Sequence, residues 1–117
     1  MTTLQELLDD HCQNLQSGAK ALPPPEAEAL LALTTGWEQN EDGTAIEKRM
    51  RFEGFSDAVR FLSRLASIAD DQDHHPDVHL IRYRWLTIEF STHSIGGLSR
   101  NDFIMAAKTN ELYDAFG

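Results

Sequence analysis

Four of the five histidines fall within one stretch, Asp70 to Asp102, which reads DDQDHHPDVHLIRYRWLTIEFSTHSIGGLSRND. An imidazole has a reference pKa of about 6.5, so it can give or take a proton near neutral pH, and two of them can serve one substrate as acid and base. His74 and His75 stand before Pro76. A residue ahead of proline is steered out of the helical region, which puts the pair on a loop rather than on a helix face. His93 follows an alternating apolar run and precedes Gly96-Gly97, where a strand stops and the chain turns. Three imidazoles can therefore converge at one end of a sheet. Asp70 and Asp73, at the end of the preceding helix, are spaced to orient imidazoles and fix their tautomers.

Taken singly, each histidine also has a structural reading, as a satisfied core residue or a helix cap. The three together favour a site, because convergent titratable groups mark one. His79 lies outside the set and is read as a surface position. A zinc centre of His74, His75, His79 and His93 lacks a Glu-flanked helical pair and a nearby cysteine, so no metal is expected. His11-Cys12 offers only two ligands and reads as part of a surface helix.

The elements that must hold these residues follow from periodicity. Leu4, Leu7, Leu8, Cys12 and Leu15 have helical spacing, which predicts a short amphipathic helix within Thr2 to Gln16 that frays. Ser17 to Pro25 is a linker, and Pro25 opens a helix to Thr34. Residues 1–22 thus form an N-terminal extension and linker, and residues 23–117 a single domain. Within it, Trp37 to Asn40 and Ala45 to Phe52 form a hairpin about Glu41-Asp42-Gly43. Ser56 is read as the N-cap of a helix whose buried stripe holds Val59, Leu62, Ala66 and Ala69, flanked by Phe61, Leu65 and Ile68. Val78 to Tyr83 and Arg84 to Thr92 are two strands about a tight turn. Leu98 with Phe103 makes a hydrophobic staple, and Ser99 with Asp102 a capping box, for a last helix from Arg100 to about Ala115. The fold class expected is α+β, a four-stranded antiparallel sheet with helices on one face, in the order α-β-β-α-β-β-α after the extension.

The stretch around the histidines resembles the signature of the pterin-4a-carbinolamine dehydratases. In that pattern an acidic residue is followed after three residues by His-His-Pro, after five or six more by an aromatic, after nine by a histidine, then by an aspartate. Asp70, His74, His75, Pro76, Tyr83, His93 and Asp102 meet it here. The likeness continues through GWEQNEDGTAIEKRMRFEGFSDAVRFLSRLASIA and GGLSRNDFIMAAKTNELY, and so covers roughly Pro23 to Tyr113. The gap from Pro76 to Tyr83 is the longer of the two allowed, and the extra residue is expected as a strand bulge.

The resemblance implies dehydration of a reduced pterin that carries a C4a hydroxyl. Hydroxide is a poor leaving group, so an acid must protonate it while a base takes the N5 proton. By motif position His74 and His93 are the proton-transfer pair, and His75 binds or orients the pterin. Asp70, Asp73, Pro76, Tyr83, Thr92, Ser94 and Asp102 are candidate substrate-binding or orienting residues. Neither a metal nor any other cofactor is expected. The resemblance further implies a homodimer or homotetramer. It also leaves open an inactive protein-binding relative, with RuBisCO, a hydroxylase or a transcription factor as its client.

Composition narrows the rest. The net charge of −9 disfavours a nucleic-acid surface, which would need clustered Lys and Arg, and Arg82-Tyr83-Arg84-Trp85 is too short a stripe to reverse that. The charge is lopsided: residues 1–47 carry −8 and residues 48–117 carry −1. The single cysteine cannot form an internal disulfide, no apolar run approaches the roughly 18 residues of a membrane span, and no signal segment opens the chain, so the cytoplasm is the expected location.

Overall fold

Leu86, Ile88 and Phe90 are fully buried, whereas Trp85, Thr87 and Glu89 between them are half-exposed on the opposite face. Strict alternation of this kind orients a strand with one wet side. The computed structural model, which describes residues 2–15 and 18–116, places these six residues in the inner strand β4. The elements run α1 (Leu4–Asp9), α2 (Pro24–Leu33), β1 (Glu38–Gln39), β2 (Ile46–Arg51), α3 (Phe55–Gln72), β3 (Asp77–Ile81), β4 (Trp85–Phe90) and α4 (Arg100–Ala115). A short 3₁₀ turn at His93–Ile95 links β4 to α4. The four strands form one antiparallel sheet, as the sequence predicts, and their spatial order, not predicted from the sequence, is β1-β2-β4-β3.

Register sets what the open face displays. Ile46 faces Phe90 and Met50 faces Leu86 on the core side. On the other side Glu38, Glu47, Glu89 and Asp77 line up as Cα partners across all four strands, a transverse row of four carboxylates. The three-residue turn Arg82–Arg84 puts both Arg82 (φ 48°) and Tyr83 (φ 56°) in the left-handed region. The expected bulge is absent, because β3 pairs without interruption from Asp77 to Ile81.

Two details of α3 differ from expectation. Gly54, in extended conformation, is the N-cap and Ser56 lies inside the first turn. The buried stripe is Ala58, Phe61, Leu65, Ala69 and Gln72, with Val59 44% exposed. Phe61 fixes that rotation by joining an aromatic cluster with Phe52, Tyr113 and Phe116, at centroid separations of 5.1 to 5.8 Å.

The last helix is the hub. Asn101 through Ala107 are all buried, because α1 and α2 cover flanks of α4 that the sheet leaves free. The apolar surface of this helix is largely covered within the chain. Helix α1 is shorter than its pattern suggests: Asp10 leaves it in extended conformation, and residues 11–15 have no regular secondary structure. Leu7 is fully buried and Cys12 is 7% exposed, so Cys12 is no surface-helix residue. The first residue of the expected linker, Ser17, lies outside the described residues. No helix among the described residues is long and apolar enough to cross a membrane.

Candidate active site

The end of α3 determines how the first two histidines are presented. Asp73 caps the helix in the left-handed conformation (φ 51°, ψ 42°), one that Asp tolerates better than most residues. The His74 N–H then donates back to the Ala69 carbonyl at 3.1 Å, closing the helix and turning the chain toward β3. Pro76 follows, and Asp77 enters the sheet.

The start of α4 supplies the partner. Ser99 and Asp102 form the expected capping box, with the Ser99 N–H donating to Asp102 Oδ2 at 2.9 Å. The Thr92 hydroxyl donates to the same oxygen at 2.9 Å and lies 2.7 Å from Ser99 Oγ. The other oxygen, Oδ1, is 2.6 Å from His74 Nε2. Asp102 is fully buried and the His74 side chain is 12% exposed. The imidazole also stacks on Phe90, 14° from parallel with centroids 6.0 Å apart. As a carboxylate, Asp102 only accepts, so Nε2 carries the proton and Nδ1 is the ring nitrogen left to exchange one. This is the orienting role sought from Asp70 and Asp73; here it falls to Asp102 for His74.

Asp70 does hold a histidine, but it is His75, at 2.8 Å between Nε2 and Oδ1, with both side chains more than half exposed. Among the described residues no imidazole hydrogen-bonds to the Asp73 carboxylate. His93 lies in the 3₁₀ turn, exposed, with Nε2 3.5 Å from Ser91 Oγ. His74 and His93 open onto neighbouring depressions of about 300 and 280 Å³, and Thr92 lines both. Ser94 lines the His74 cavity. Of the three imidazoles expected to converge, His74 gathers at this sheet end with Thr92, Ser94 and Asp102, His93 lies across the Thr92 wall, and His75 lines neither depression. Tyr83 is the exception: at the β3–β4 turn, 55% exposed, it sits at the opposite end of a five-residue strand. His79 is exposed on β3, as read.

Roomier hollows, of about 480 and 560 Å³, flank the C-terminal half of α4 and contain no imidazole. No group of three or more His, Cys, Asp or Glu side chains among the described residues could hold a metal ion. What the sequence did not reveal is the role of residues 11–15, which line the His74 cavity with Gln72 and Asn101. No local pattern marks them, because their partners lie 60 and 88 residues away.

The molecule is thus an α+β domain that carries a buried histidine–aspartate pair at a sheet end, with two further histidines close by in the chain. Comparison with known proteins names it. The family model for pterin 4 alpha carbinolamine dehydratase matches residues 20–112. A relative from Xylella fastidiosa, provisionally named pterin-4-alpha-carbinolamine dehydratase, is 40% identical over 114 residues, 97% of each chain. One from an Azoarcus species with the same provisional name is 40% identical, covering 93% of this chain and 92% of its own. The crystal structure of a transcriptional coactivator/pterin dehydratase from Brucella melitensis superposes with a TM-score of 0.74 at 30% identity, over 80% of this chain and 98% of that one. A pterin dehydratase-like RuBisCO assembly factor of the alpha-carboxysome shares the fold at a TM-score of 0.56 and 18% identity, over 66% and 88%. The chain belongs to the pterin-4-alpha-carbinolamine dehydratase family, which by name is a family of hydro-lyases.

Proposed function

We propose that the protein dehydrates 4a-hydroxytetrahydropterin by histidine acid/base catalysis. The C4a–O bond breaks as the hydroxyl is protonated and leaves as water. The N5 proton passes to a base, and the N5–C4a bond becomes double, giving the quinonoid dihydropterin. No electrons are transferred to or from another group. The observation that carries this reading is the His74–Asp102 pair at the mouth of a cavity. Asp102 holds Nε2–H at 2.6 Å, so Nδ1 can exchange the proton while the buried carboxylate stabilises the imidazolium. His93 serves as the second proton-transfer group across the Thr92 wall, and His75, held by Asp70, orients the pterin. Such a pair typically contributes about 10² to 10⁴ in rate. The test is loss of the carbinolamine, generated in place by a hydroxylase, with the protein and in buffer alone. Decay no faster than in buffer would sink the activity.

The reading includes self-association. Phe52 N–H donates to Arg84 O and Asn40 N–H to Ala45 O, both at 2.9 Å. Alternation along the ladders then assigns Asp77, His79 and Ile81 to bonds with β4 and turns the main-chain groups of Val78 and Leu80 toward the open edge. A two-fold partner with His79 facing its own copy pairs Val78 with Leu80 twice and satisfies all of them. Shifting one step brings in Pro76, which has no N–H, or Arg82, which is in the turn. In the favoured register Tyr83 lies beside the partner's His75, which would deliver the one remote candidate residue to a site. A second reading, protein binding without turnover, draws support from the unpaired edge, where Val78 is 38% and Ile81 52% exposed.

A further inference from the structure

The N-terminal segment outside the family-matched residues has its own built-in dock. Two buried amides hold it. Gln72 Oε1 accepts the Cys12 N–H at 2.7 Å, and Gln72 is 7% exposed. Asn101, 5% exposed, accepts the Gln13 N–H at 2.9 Å through Oδ1 and donates to the Gln13 carbonyl at 2.7 Å through Nδ2. Pairing of both backbone groups of one residue by one side-chain amide copies a strand pair and fixes the segment's direction. On the N-terminal side Arg100 donates to Asp10 through two nitrogens, at 2.7 and 2.9 Å, and to the Thr2 hydroxyl. Lys108 Nζ donates to the Leu8 carbonyl at 2.7 Å. Buried amides impose a desolvation cost that bare packing would not, so this much polar matching specifies a place rather than mere attachment.

The place is one wall of the cavity onto which His74, Thr92 and Ser94 open. Asn101, which docks the segment, immediately precedes Asp102, which holds His74, so the dock and the carboxylate that orients His74 share the first turn of α4. The cavity, about 300 Å³, is at the small end of the range for ligand sites, which suits a bicyclic ring. Asn14 and Leu15 line it, one an amide with both donor and acceptor, the other an apolar side chain. A pterin's pyrimidine edge presents amide-like donors and acceptors, and its ring faces are apolar.

We propose that residues 12–15 form a specificity wall of the site, with Asn14 recognising the pyrimidine edge of a reduced pterin and Gln72 and Asn101 holding the wall in place. The ligand class rests on the dehydratase reading; the wall itself rests on the docking geometry. Asn14 is a substrate-binding residue that takes no part in proton transfer, and Gln72 and Asn101 are positioning residues.

The chain's single cysteine lies in this wall, so thiol labelling reports on it without ambiguity. Cys12 is buried and its pKa is pushed up to about 12 by desolvation, which keeps the wild-type labelling rate low. Loss of the two Asn101 bonds in N101A should speed labelling about tenfold, and saturating 7,8-dihydrobiopterin, a probe that does not turn over, should reverse most of that. N14A should raise KM about tenfold, with the larger part of its effect in KM rather than kcat. If N101A does not fold, N14A still decides. Wild-type turnover with N14A unchanged in KM overturns the wall and leaves the dehydratase intact. No wild-type turnover, with dihydrobiopterin still slowing Cys12 labelling, supports the wall and sinks the dehydratase reading. Dihydrobiopterin that fails to bind, or binds without slowing the labelling of N101A, also overturns it.

Discussion

His74 Nε2 and Asp102 Oδ1, 28 residues apart, meet at 2.6 Å because two helix termini are aimed at the same point. The left-handed end of α3 turns His74 inward, and the capping box of α4 fixes Asp102 in the one orientation that leaves Oδ1 free for it. A structural device and a chemical one thus share a carboxylate.

That sharing makes Asp102→Asn informative. An amide has one acceptor oxygen where the carboxylate has two, so Ser99 N–H, the Thr92 hydroxyl and His74 Nε2 can no longer all be satisfied. We expect a loss of about 1 to 3 kcal/mol in stability from the broken cap and buried donors, and a fall in dehydration rate of about 10²-fold or more as His74 loses its tautomer. Denaturant melts and the rate assay on the same preparation check both. A stability loss with an undiminished rate would leave Asp102 as a cap only.

The edge of β3 gives a test of assembly. A register with His79 on the two-fold predicts a dimer or larger assembly at micromolar concentration. It also predicts complementation: mixing inactive His74→Ala with impaired Tyr83→Ala chains should regenerate one intact site in each mixed dimer. Light scattering near 13.2 kDa across a dilution series would refute the assembly. Dimers without complementation would confine Tyr83 to a structural role in the turn.

How much of this was legible in the sequence depended on how local the signal was. Strand β4 could be read from Leu86, Ile88 and Phe90 because a period of two needs only the strand itself. The capping box could be read because Ser99 and Asp102 are three residues apart. Helix α3 was rotated by about one residue, because Phe61 is drawn in by Phe52, Tyr113 and Phe116, whose proximity no window of the sequence contains. Cys12 was misplaced for the same reason: its partners, Gln72 and Asn101, belong to two other helices. The spacing of the histidines pointed to the sheet end, yet gave Asp102 no pairing with His74 beyond its place in the motif.

Cys12 also makes stability depend on pH at the alkaline end. Burial, with the Asp102 charge adding to it, pushes the thiol pKa up to about 12 from its ordinary 9.0, so the unfolded chain gives up this proton first. The contribution to stability is fully present below pH 9.0 and is lost as pH rises toward 12. Melting temperature should therefore fall more steeply over that window in wild type than in Cys12→Ala. Parallel slopes would mean that the thiol is more open to solvent than its burial indicates.

The measurement that bears most directly on the proposed chemistry is the rate of carbinolamine loss with wild type and His74→Ala, at matched concentration and without added metal or nucleotide. Wild type should outrun the spontaneous reaction, and His74→Ala should fall by about 10² or more while its circular dichroism stays that of the folded chain. A folded His74→Ala that dehydrates at the wild-type rate would contradict the assignment of proton transfer to the His74–Asp102 pair.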